Sequence, residues 1–81
     1  MDFGDIERRG WTWPYEQVEA VIAAAIESGE LAPGQRLPSQ EHLAQMAGVS
    51  KSVVRNALAL LREQGKIQTV PRLGTFVAPE P

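Results

Sequence analysis

Four residues between positions 39 and 65, Ser39, Gly48, Ser50 and Gly65, alternate as helix-start and helix-stop signals. A serine just ahead of a helical pattern accepts a hydrogen bond from an unsatisfied backbone N–H of the first turn. A glycine just past the pattern takes up the left-handed conformation that ends it. Only Gly48-Val49-Ser50 therefore separates a short helix from a longer one. A chain that stops and restarts over so few residues folds the second helix across the first, which is the geometry of a helix-turn-helix.

The short helix, capped by Ser39, has Glu41 in its first turn and Leu43, Ala44 and Met46 as its apolar residues, and spans about two turns. The longer one runs from Lys51 to Gln64. Val54, Ala57, Leu58 and Leu61 form its inward stripe, Ser52, Asn56, Ala59 and Glu63 lie opposite, and Lys51 and Arg55 sit on a flank. Upstream, Pro14 is a good first-turn residue, and Val18, Val21, Ile22, Ala25 and Ile26 recur at helical spacing up to Gly29. Leu31 is placed to fold back on the core, and Pro33-Gly34 marks a turn. Downstream the period changes: Ile67–Val70 and 75–78 read as strands around a turn at 71–74. The fold class is α+β, a winged helix-turn-helix of three helices followed by a two-stranded β-hairpin wing. Residues 14–78 form the domain, 1–13 an N-terminal extension and 79–81 a tail.

The chain has 81 residues, enough for one small core, and no cysteine, which excludes disulfides and thiolate metal sites. No apolar run approaches the roughly 18 residues that span a bilayer, and Asp2, Asp5 and Glu7 are unlike the basic start of a signal peptide, so a cytoplasmic protein is expected. No phosphate-cradling glycine loop, paired-carboxylate cleft or nucleophile motif is present, and neither an enzyme nor a cofactor or metal site is expected. His42, the sole histidine, reads as an exposed helix residue. Trp11 and Trp13 are expected to cover the core, and Tyr15, Phe76 and Leu73 to pack in the core or wing. Phe3 has no assignment from its neighbours.

The net charge of −2 argues mildly against nucleic acid, but its distribution argues for it. Residues 1–41 hold three arginines and eight acidic residues, a net −5, whereas residues 42–81 hold five basic residues and two glutamates, a net +3. Lys51 and Arg55 stand about 6 Å apart along one helix, close enough to serve neighbouring base pairs or phosphates. Arg55 suits a guanine edge. Ser52 and Asn56 form a second pair at the same spacing, Asn56 suiting adenine. The helix starts capped by Ser39 and Ser50 point backbone N–H groups outward, as phosphate requires. Arg62 and Lys66 are further phosphate candidates.

The blocks Gly29-Glu30-Leu31-Ala32-Pro33-Gly34, Leu37-Pro38-Ser39, Leu43-Ala44, Gly48-Val49-Ser50, Val54-Arg55-Asn56-Ala57-Leu58 and Gly74-Thr75-Phe76-Val77 together resemble the DNA-binding domain of the GntR family of bacterial transcription regulators. The likeness covers about residues 14–78. It implies a homodimeric, usually repressing regulator of the bacterial nucleoid that binds a double-stranded DNA operator. Helix 51–64 would enter the major groove, with contacts from Ser50, Lys51, Ser52, Val53 and Arg55, and the wing, with Arg72, Gly74 and Thr75, would meet the minor groove. It also implies an effector domain beyond the wing; no small-molecule effector site is expected within these residues. If the chain acts alone, the acidic first helix or the Trp11/Trp13 segment is the expected dimer surface.

Three departures from the family pattern stand out. Gln40 and Glu41 replace Glu and Arg, so a phosphate contact is expected to be lost or exchanged for one to cytosine. Lys51 often has Arg in its place, and lysine cannot copy a bidentate fork. Arg72 replaces a wing glycine and is placed to enter a narrow minor groove. The competing readings are a winged-helix module that binds protein and no DNA, which would not need the cationic clustering, and an architectural DNA binder without sequence preference.

Overall fold

Trp13 holds an extended backbone and Pro14 occupies the first helical position, so α1 (Pro14–Ser28) starts where an absent N–H costs nothing. In this computed structural model, which describes residues 1–7 and 10–79, Gly29 ends α1 in the left-handed region (φ 86°). Arg8 and Arg9, counted above in the acidic half, and Glu80 and Pro81 of the tail lie outside the described residues. Two helices follow, α2 (Gln40–Ala47) and α3 (Lys51–Glu63), and then two strands, β1 (Ile67–Val70) and β2 (Gly74–Val77).

Both serine caps form. The Ser39 hydroxyl accepts from the His42 N–H at 3.1 Å and the Ser50 hydroxyl from the Val53 N–H at 3.2 Å. Between them Gly48 (φ 68°) sends its N–H to the Ala44 carbonyl, and the chain reverses over Gly48-Val49-Ser50. α3 stops one residue before Gln64, which serves as its C-cap. Its stripe of Val54, Ala57, Leu58 and Leu61 is buried in one cluster with Val18 and Ile22 of α1, Leu43 of α2, and Ile67 and Val77 of the wing. Leu31 and Leu37 join it from the connection. α3 is thus held on both sides, by α1 and α2, and continues directly into the wing.

Several packing expectations are corrected. Met46 is exposed and Ala47 is buried in its stead, because Leu43, Ala44 and Ala47 share one side of α2 while Met46 falls on the far side of Leu43. Trp11 is fully exposed, Trp13 is 70% exposed and Leu73 is exposed at the wing tip. The aromatic residue that covers the core is Phe3. The N-terminal segment is tied back by Gln17, whose side chain accepts from the Glu7 N–H and donates to the carbonyls of Glu7 and Thr12. Tyr15 is partly buried against the core, and Phe76 is half-buried in the wing.

In the wing, β1 and β2 pair antiparallel, Ile67 opposite Val77 and Val70 opposite Gly74, so the turn is residues 71–73 and Gly74 already belongs to the strand. The connection between α1 and α2 supplies a third edge. Leu37 donates to the Thr75 carbonyl at 2.8 Å, Val77 to that of Gln35 at 2.8 Å and Gly34 to that of Val77 at 2.9 Å. The wing is thereby anchored to the helical body on the side of β2 away from β1. Among the described residues, no helix is long and apolar enough to cross a membrane.

Candidate nucleic-acid interface

Because its four buried residues fix its rotation, α3 turns Lys51, Ser52 and Arg55 to solvent. The Arg55 guanidinium donates to the Ser52 hydroxyl at 3.1 Å, so those two polar groups form one cluster on the first two turns. Lys51 does not stand free: its ammonium lies 3.2 Å from a Glu41 carboxylate oxygen on α2. Both side chains are more than half exposed, so the pair is weak, worth about 0–1 kcal/mol. It nevertheless brings an anion within reach of the lysine that would meet phosphate. Glu41 therefore lies directly beside the candidate site.

Ser39 and Ser50 are exposed and engaged as caps; a hydroxyl that accepts from a backbone N–H keeps its own proton free for another acceptor. Val53 is half-buried, and Asn56 is exposed but lies toward α1, in a groove shared with Tyr15, Ala59, Leu60 and Glu63. Asn56 follows Arg55 directly and lies one turn beyond Ser52, on the side of α3 toward α1. Lys66 is further removed. It lies three residues past the end of α3, a helix that itself runs about 18 Å from Lys51 at 1.5 Å per residue, and its ammonium is 3.9 Å from Glu27 of α1. Arg62 is bound to the wing, donating from Nη2 to the Thr69 hydroxyl at 2.7 Å and from Nε at 3.2 Å. Thr75 lies across from Thr69 in register, their hydroxyl oxygens 3.4 Å apart, so Arg62, Thr69 and Thr75 make a polar chain from α3 to the wing.

The wing turn has a specific strain. Leu73 N–H donates to the Val70 carbonyl at 3.1 Å, closing a β-turn with Pro71 and Arg72 at its centre, and Arg72 has φ 69°. Proline first and positive φ second is the pattern of a type II turn, whose second central position favours glycine. Arg72 therefore holds a conformation suited to the glycine it replaces, with its side chain exposed at the tip.

Among the described residues, one cation carries no signal of its placement in the sequence. Arg36 is exposed, pairs as an isolated bridge with Phe76, and lays its guanidinium against Gly74, where an added Cβ would meet Nε at 2.8 Å. Its position depends on the connection joining the wing, which no local pattern announces. Trp13 was also missed as a surface residue. It borders an apolar groove with Pro14, Val49, Ser50 and Val53 at the start of α3.

Comparison with known proteins agrees with this architecture. The model of the family described as bacterial regulatory proteins, gntR family, matches residues 14–77. The chain is 36% identical over 64 residues to the Uxu operon transcriptional regulator of Escherichia coli, covering 79% of this chain and 25% of that protein. It is 39% identical over 66 residues to the mannosyl-D-glycerate transport/metabolism system repressor MngR of the same organism, covering 82% and 28%. The chain thus spans about a quarter of the length of these curated relatives. Among solved structures, AraR(DBD) in complex with operator ORE1 superposes with a TM-score of 0.77 at 39% identity, covering 79% of this chain and 78% of that one. YtrA from Sulfolobus acidocaldarius, a GntR-family transcription factor, gives 0.84 at 35% identity, covering 95% and 81%.

Proposed function

The chain belongs to the gntR family of bacterial regulatory proteins, and from that premise we propose that it is a sequence-specific double-stranded-DNA-binding transcriptional regulator, acting as a repressor. The observation that carries this reading is the fixed rotation of α3. Four buried residues pin the helix while Lys51, Ser52 and Arg55 face outward from a serine-capped start. A helix about 10–12 Å wide fits a major groove of about 12 Å. Arg55 is assigned to guanine O6 and N7, and Ser52, which already accepts from Arg55, orients it. Lys51, Ser39 and Ser50 position the helix on phosphates, and Val53 offers its methyl groups to a thymine. The wing carries Arg72 to the minor groove, with Gly74 and Thr75 shaping its second strand.

The similarity to a family DNA-binding domain solved on its operator supports this docking. Asn56 and Lys66 stand at its edge, Asn56 on the side of α3 toward Tyr15 and Lys66 past the end of α3. Two copies would bind a palindromic operator with half-sites about 34 Å apart, one turn of the duplex. The setting is the cytoplasm, on the bacterial chromosome, and the small-molecule effector of such a regulator would bind outside these residues.

Selection of bound sequences from a random duplex pool, at about 50 mM and again at about 150 mM salt, tests the proposal. A palindromic motif enriched by the wild type and degraded at one guanine by Arg55→Ala is the expected result. Log affinity should fall with log salt, at a slope of about −0.9 for each phosphate that a cation such as Lys51 neutralises. Absence of any enriched sequence would leave a protein-interaction module or an architectural binder.

A further inference from the structure

Trp13 is 70% exposed, yet it is not an isolated surface aromatic. With Pro14, Val49, Ser50 and Val53 it lines an open groove of about 300 Å³, and it projects from the start of α1 beside the start of α3. The groove wall is apolar except for Ser50, the residue whose hydroxyl caps α3. The groove is therefore continuous with the surface assigned to DNA, and Ser50 and Val53 belong to both.

We propose that Trp13 and the Val49/Val53 wall form an uncharged clamp on the operator's sugar–phosphate backbone, seating a deoxyribose against the indole while the indole N–H donates to the adjoining phosphate. The inference rests on the DNA-binding reading above. The occupant follows from position and chemistry. A helix start placed in a major groove brings its own N-cap to the flanking strand, and the surfaces that strand offers are a flat apolar sugar and an anionic acceptor. An indole matches both, with an apolar face and a single donor. A second copy of the chain seated here would cover Ser50 and Val53 and exclude the duplex from the start of α3.

The clamp has a signature that a cationic contact lacks. A neutral side chain displaces no condensed counterion, so its loss weakens binding equally at all salt concentrations. Trp13→Ala preserves the backbone bonds that start α1, since Trp13 takes part through its N–H to Glu16 and its carbonyl to the Glu16 and Gln17 N–H groups. The test titrates the selected operator duplex, from about 50 to about 200 mM salt, with wild type, Trp13→Ala, Trp13→Phe and Lys51→Ala. Trp13→Ala is expected to bind about tenfold more weakly at every salt with an unchanged slope, and Trp13→Phe to recover part of the loss. Lys51→Ala should flatten the slope by up to about 0.9. In a Trp11→Phe background, the emission of Trp13 should change on adding duplex.

Wild-type affinity in Trp13→Ala, or emission indifferent to DNA, overturns the clamp while leaving the DNA-binding reading intact. Loss of self-association with unchanged affinity per monomer also overturns it, assigning the groove to a second copy. A wild type that binds no duplex overturns both readings.

Discussion

Glu41 and Lys51 show how one substitution alters the meaning of its neighbour. A lysine 3.2 Å from a carboxylate has part of its field cancelled, and in the proposed docking the carboxylate would face the strand that the lysine neutralises. Glu41→Gln keeps the side-chain volume and removes the charge, leaving Lys51 wholly available. Affinity for the operator is expected to rise roughly three- to tenfold and the salt slope to steepen by up to about 0.9, read by titration across salt. A fall in affinity with lost preference at one base pair would instead assign Glu41 to a cytosine amino group. The roles of Ser39 and Ser50 as caps were legible in the sequence, because a cap is decided within three residues. The exposure of Trp11 and Trp13 was not, because which aromatic covers the core depends on how residues 1–7 fold back.

The wing separates an element's stability from its contacts. Its turn places Arg72 in a left-handed conformation that costs a residue bearing a Cβ about 1–2 kcal/mol, so Arg72→Gly relieves strain but adds about 0.5–1 kcal/mol of unfolded-state entropy. The net effect on stability is expected to lie between zero and about 1.5 kcal/mol in favour of the variant, read from denaturant midpoints. Binding should move the other way if the arginine enters the minor groove, with lower affinity and a shallower salt slope. Unchanged affinity and slope in Arg72→Gly would remove Arg72 from the interface. Helices and strands were legible as elements because their periods differ, and the boundary at Gly74 moved by a single residue. The third edge of the wing was not. Residues 34–37 lie between a turn signal and a helix cap and carry no alternation, and only their bonds to Gly74's strand reveal them. Arg36 therefore joins the wing face through tertiary structure alone.

At the scale of the whole molecule, charge and packing divide the chain differently. Along the sequence the acidic residues concentrate in the first half and the cations in the second, with the ion pairs Glu41–Lys51 and Glu27–Lys66 joining the two, whereas the core draws on both ends of the chain: Phe3 before α1 and Val77 at the close of β2 are both buried in it. Residues 1–7 are consequently a structural part of the fold, through Phe3 and through the Gln17 bonds to Glu7, and Thr12 is held by the same side chain. In a domain of this size total stability is about 4–12 kcal/mol, and deleting a buried phenylalanine side chain costs about 3–5 kcal/mol. Phe3→Ala should therefore lower the melting temperature by at least about 12 °C, since each kcal/mol is worth about 4–8 °C in so small a domain. Thermal unfolding followed by circular dichroism reads the shift. The variant's operator affinity, measured well below its melting temperature, should stay near wild type, because Phe3 touches the core and not the face of α3. An unshifted melting curve would mean that residues 1–7 detach before the helices unfold, and that the stabilising core begins at α1.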